Sequence, residues 1–171
     1  MALTLPATVF GVLAVATSAL ALAWSAVSDI RAYQIPNTAS VLILLSYVVF
    51  AVCVPSAPRL GALAVGLAVF AAGLVLFVLG SMGGGDVKLL AAVSVWSGPH
   101  LLAAFAIVTG LTGALLAAFL LSPLRRMMPR APSDLLPGAE GAGLLRQPMP
   151  FGVAIAAGGM FVLAQQASLI R

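Results

Sequence analysis

Across 171 residues the chain carries 63% hydrophobic and only 7% charged side chains, with a formal net charge of +4. One soluble domain cannot enclose that much apolar surface, so the composition excludes a soluble globular protein and indicates an integral membrane protein. The positive balance fits basic loops held against an anionic membrane face, and argues against nucleic-acid binding.

No charged residue precedes Asp29. The first apolar segment therefore lacks the basic start of a cleavable secretory signal and reads as a retained anchor. Apolar runs then follow at 5–27, 38–54, 60–80, a shorter one at 89–96, 101–121 and 151–170. They predict an all-α, polytopic membrane protein: a bundle of six transmembrane helices, the fourth short or partly sunken, because a straight span needs about 20 residues at about 1.5 Å each. The single cysteine, Cys53, lies in an apolar run, where it reads as a small buried hydrophobe.

If all six runs cross, Arg31, Lys88, Arg125, Arg126, Arg130 and Arg146 share one side, and only Arg59 and Arg171 lie opposite. The basic side is expected to be the cytoplasm, with both termini outside. A re-entrant fourth run would split Lys88 from the arginine cluster, so the charge bias favours a crossing. Residues 1–171 thus read as a single transmembrane domain. Within it, 122–150 is expected to be a mobile cytoplasmic loop, rich in proline, glycine and arginine and set against anionic lipid.

Two short connections hold the remaining carboxylates, since Asp134 and Glu140 belong to that loop. In "SDIRAYQIPNTAS", Ile35-Pro36 disfavours continuous helix, and Asn37 is placed to cap the next helix by accepting its free N–H groups. In "GSMGGGDVKLL", Gly83, Gly84 and Gly85 permit tight backbone and close approach of another chain. Two complete crossings separate Asp29 from Asp86, which returns the chain to one face and can set the two acids side by side. A carboxylate at a membrane boundary is costly to desolvate and is a functional candidate. Two structural readings compete: Asp29 as an interfacial charge paired with Arg31, and Asp86 as a helix-capping carboxylate. Lys88, two residues beyond Asp86, does not face it on a helix.

These residues carry a family resemblance. Gly83 to Asp86 fits the Gly-x-Gly-Asp signature of intramembrane aspartyl proteases, and with Val87-Lys88 it resembles the form found in type IV prepilin peptidases. Asp29, Arg31 and Ile35-Pro36-Asn37 are similar to that family's first aspartate motif, and Pro150-Phe151-Gly152 to the stretch opening its last helix. The resemblance implies a multi-pass protein of the bacterial inner membrane, with Asp29 and Asp86 as catalytic residues near the cytoplasmic face. Its partner would be a prepilin or pilin-like precursor, cut between a basic leader and an apolar helix. Larger members carry an added cytoplasmic segment with paired cysteines and also N-methylate the new amino terminus. Those cysteines are missing from this sequence, so it resembles a short, protease-only branch associated with Flp/Tad-type pili.

The chemistry asks for the same residues. One carboxylate acts as general base on water while the other, protonated, polarises the scissile amide. Neighbouring acids do not readily ionise together, so the pair is expected to share one proton and to titrate as a unit. No metal or other cofactor is required. The other class of function open to two buried aspartates is a small proton- or cation-coupled transporter or channel, although the two motifs show no internal repeat. Elsewhere, His100 reads as an interface residue of the external turn. Trp24, Trp96 and Tyr33 read as headgroup anchors, with Tyr33 the candidate among them to line the cleft. Gly61, Gly66, Gly73, Gly110 and Gly113 read as close-packing sites between helices.

Overall fold

The structure is a computed structural model that describes residues 5–55, 57, 59–122 and 149–170. The loop expected at 122–150 lies almost entirely outside them. Five helices make up the described residues: α1 Leu5–Ala32, α2 Asn37–Cys53, α3 Arg59–Val78, α4 Gly84–Leu121 and α5 Phe151–Ala167, closed by a 3-10 turn at Ser168–Ile170. Four of these segments, Leu5–Ala32, Arg59–Val78, Gly84–Leu121 and Phe151–Ile170, are long and apolar enough to cross a membrane. The helix is the form such segments take because hydrocarbon offers no partner to backbone N–H and C=O groups.

On α1 and α3 the buried stripes are mostly small residues, while many large side chains face outward. On α1 the buried stripe is Gly11, Ala14, Ser18, Ala21, Leu22, Ser25 and Asp29, a helical period that ends on the carboxylate. Leu67 and Val78 of α3 are 69% and 77% exposed, respectively. Lipid is as apolar as leucine, so burial of bulk gains little there and close backbone approach holds the bundle together. A Cβ on Gly73 would stand 2.9 Å from Val87, and one on Gly159 2.7 Å from Leu22. Gly66 abuts Val95, Gly61 faces Pro99, and Gly113 meets Phe151. Gly110 departs from expectation: nothing lies within 4 Å of its would-be Cβ, so it is not a packing site.

The runs at 89–96 and 101–121, expected as separate helices, are two helical limbs within α4 separated by a non-helical break. A straight 38-residue helix would be about 57 Å long, nearly twice the roughly 30 Å hydrocarbon core of a bilayer. α4 avoids that length because Gly98, at φ 54 and ψ −169, breaks it just before Pro99. The first limb runs along α3 from Val87 beside Gly73 to Val95 beside Gly66, and Pro99 meets Gly61 near the start of α3. The second limb runs back along α5, with Phe105 against Gly158 and Gly113 against Phe151. The two limbs therefore run in opposite directions.

Trp96 corrects another expectation. It is 1% exposed, donates its indole N–H to the Ile43 carbonyl at 2.9 Å, and packs against Tyr47 and Phe50 with ring centroids 5.5 and 5.0 Å away. Gln166 of α5 donates to the Trp96 carbonyl at 2.7 Å. The first limb of α4 is thus sunk into the bundle, and its end is core. Trp24, by contrast, is 47% exposed.

Candidate functional site

Three helix ends build the site. α1 finishes with Tyr33 in the left-handed region at φ 52, its N–H bonded to the Asp29 carbonyl at 2.9 Å. That is the single-bond helix stop that glycine usually makes, here made by a residue that strains to do so. α3 ends with glycine in the same role: Gly80, at φ 70, donates to Phe77 while Ser81 donates to Leu76. After Tyr33 the chain folds over, the Ser28 hydroxyl donating to the Gln34 carbonyl at 2.7 Å. Pro36 then opens α2 in extended conformation, with no side-chain cap on that helix.

Asp86 sits in the first turn of α4, and its carboxylate accepts the backbone N–H of Gly83. This is the reach-back half of a capping box, so the helix-capping reading of Asp86 describes part of what the residue does. A Cβ on Gly83 would lie 2.9 Å from Asp86 Oδ2, so a side chain there would push on that carboxylate. A Cβ on Gly85 would lie 3.1 Å from that of Ile35, so the glycine run and the 33–36 turn abut.

The third piece is α5. Pro150 centres an inverse γ-turn at φ −72 and ψ 74, with Phe151 N–H donating to Met149 O at 2.7 Å. The next N–H, that of Gly152, donates to Asp29 Oδ2 at 2.7 Å. Asp29 of α1 therefore fills the capping role for α5 that Pro150 cannot supply with its own side chain. The competing reading of Asp29 as a charge paired with Arg31 is not what the structure shows: Asp29 is 5% exposed and bonded to Gly152, whereas Arg31 is turned out to the surface.

Asp29 and Asp86 line one cavity of about 360 Å³, with Tyr33, Gln34, Ile35 and Gly83 to Gly85 as its other walls. Gly152 borders it through Asp29. Ile35, part of the motif but given no wall role from sequence, contacts both the glycine run and α5. Asn37 and Lys88 do not line the cavity. Asn37, expected as a helix cap, accepts a hydrogen bond from Lys88 Nζ at 2.9 Å, linking the starts of α2 and α4. Among the described residues, no three histidine, cysteine, aspartate or glutamate side chains converge as a metal site.

An all-helical membrane protein built around two acids on one cavity is the class that fold and site define. Residues 15–118 match the type IV leader peptidase family, and the chain belongs to that family. It is accordingly a peptidase of a family whose members are aspartic-type enzymes. The matched segment contains both aspartates and stops short of α5. No curated protein and no solved structure gives a significant match.

Proposed function

We propose that the protein is a membrane aspartyl endopeptidase that removes the basic leader from a prepilin or pilin-like precursor at the cytoplasmic face of the bacterial inner membrane, using Asp29 and Asp86. The observation that carries the reading is the shared cavity: two carboxylates from distant parts of the chain line one space beside a glycine run.

In the proposed reaction the ionised member of the pair takes a proton from water as the water oxygen bonds to the scissile carbonyl carbon. The protonated member gives its proton to the carbonyl oxygen. When the tetrahedral adduct collapses, the C–N bond breaks, the amine leaves with the proton taken from water, and the other proton returns to the dyad. Gly152 fixes one oxygen of Asp29, which orients that carboxylate before substrate arrives. The glycines leave room for an extended substrate backbone beside Asp86.

The topology that suits this role has six crossings, the limbs of α4 counting as two. Val54 and Ile170 both lie against Gly11, at the end of the bundle remote from Asp29, which supports placing the two described chain ends together on the outer side. Arg31 and Lys88 then fall on the inner side with the acids.

The test is cleavage of a co-expressed pilin precursor by wild type, Asp29→Asn and Asp86→Asn. Each substitution is expected to abolish cutting while the protein still inserts. Processing at the wild-type rate by either variant sinks the dyad, and ion flux without processing would favour transport instead.

A further inference from the structure

A second cavity lies on the other side of the first turn of α4. Residues two apart on a helix point to different faces, and Lys88 leaves the carboxylate cavity for a lateral groove between α2, α3 and the first limb of α4. The groove encloses about 490 Å³, and its walls are almost wholly apolar: Val41 and Leu44 from α2, Leu63, Leu67 and Phe70 from α3, and Ala91 from α4.

Its polar groups gather at the end nearest the glycine run. Lys88 is exposed there, and the bond to Asn37 uses one of its three N–H donors. Among the described residues no carboxylate pairs with it, because Asp29 and Asp86 line the other cavity. One helical turn into α2, Ser40 is 5% exposed, lines the same groove, and its hydroxyl has no hydrogen-bond partner. A buried hydroxyl without a partner is an uncommon loss.

We propose that this groove binds one anionic phospholipid, its phosphate on Lys88 Nζ, an oxygen of the headgroup–glycerol region accepting from the Ser40 hydroxyl, and an acyl chain along the apolar wall. Charge decides between occupants. A lysine with spare donors at the rim of a bilayer attracts anionic headgroups, whereas the basic leader of a precursor would bring positive charge towards it. The site does not depend on which peptide the enzyme cuts, so its test is independent of cleavage.

The experiment is native mass spectrometry of protein released from nanodiscs of equimolar phosphatidylglycerol and phosphatidylcholine. Wild type should retain phosphatidylglycerol in preference to phosphatidylcholine by about fivefold, the effect of one lysine near a membrane surface. Lys88→Gln, which can still donate to Asn37, should lose the preference, and Lys88→Arg should keep it. Ala91→Phe, which fills the apolar wall, should lower retention of both lipids. Arg31→Gln, a cation removed outside the groove, should change nothing. Equal retention of the two lipids by wild type overturns the proposal, as does a preference that survives in Lys88→Gln. So does a loss in Arg31→Gln as large as in Lys88→Gln, and so does displacement of the retained lipid by a pilin precursor, which would give the groove to substrate.

Discussion

Replacing Gly152 with alanine would put a methyl carbon 2.8 Å from Asp29 Oδ2 and 2.9 Å from Ile35 Cδ1. Both contacts are too short to persist, and the carboxylate is the group able to swing. Its movement breaks the 2.7 Å bond from the Gly152 N–H. A hydrogen bond to a charged group contributes about 1.5–3 kcal/mol. Lost from the orientation of the carboxylate proposed to be catalytic, that corresponds to roughly a ten- to hundredfold fall in kcat. The assay is turnover of purified enzyme on a pilin precursor, with melting in detergent measured in parallel. Gly110→Ala is the matched comparison. Its Cβ enters open space, and alanine is favoured over glycine inside a helix by roughly 0.5–1 kcal/mol, so cleavage should be unaltered. Wild-type turnover in Gly152→Ala would refute the claim that α5 orients Asp29, and a fall in turnover matched by an equal loss of folded protein would assign the effect to folding.

Gly98→Ala forces a side chain into backbone angles that glycine alone adopts easily, and should destabilise the protein by about 1–3 kcal/mol; an unchanged melting midpoint would remove the break in α4 as a constraint. Tyr33→Gly and Tyr33→Ala delete the same side chain, but only glycine relieves the positive φ, so the glycine variant should be the more stable by about 1 kcal/mol. The comparison is read from paired thermal or denaturant unfolding curves, and equal stability contradicts strain at Tyr33. Trp96→Phe removes the donor to Ile43 and leaves space against Tyr47 and Phe50. A loss of about 1–3 kcal/mol is expected, whereas a true headgroup anchor would lose little.

What the sequence made legible was local. Long apolar runs located the helices, and the short connections carrying Asp29 and Asp86 stood out because charge is so scarce beside them. Gly98-Pro99 stands at the interruption between the fourth and fifth runs, where the backbone of α4 leaves helical geometry at Gly98. Relations across distant segments were hidden. An aromatic near a helix end reads as a headgroup anchor only if that end reaches the surface, and Trp96 ends a limb buried beneath α2 and α5. Asn37 reads as a cap only while its neighbours alone are considered; Lys88, 51 positions away, takes its side-chain oxygen. Gly152 was singled out by motif, but nothing local could show that its N–H is given to a carboxylate on α1. Nor could spacing show that Gly110 faces open space while Gly113, one turn on, meets Phe151.

The partner of Asp29 arrives late. Gly152 is 123 positions further along the chain, so during synthesis both acids are made well before the N–H that holds one of them. Under the chemistry proposed, a chain still lacking α5 would be the poorer hydrolase, with full cutting power expected only once α5 seats. Newly made copies would thereby spare their neighbours until α5 has been made and has seated.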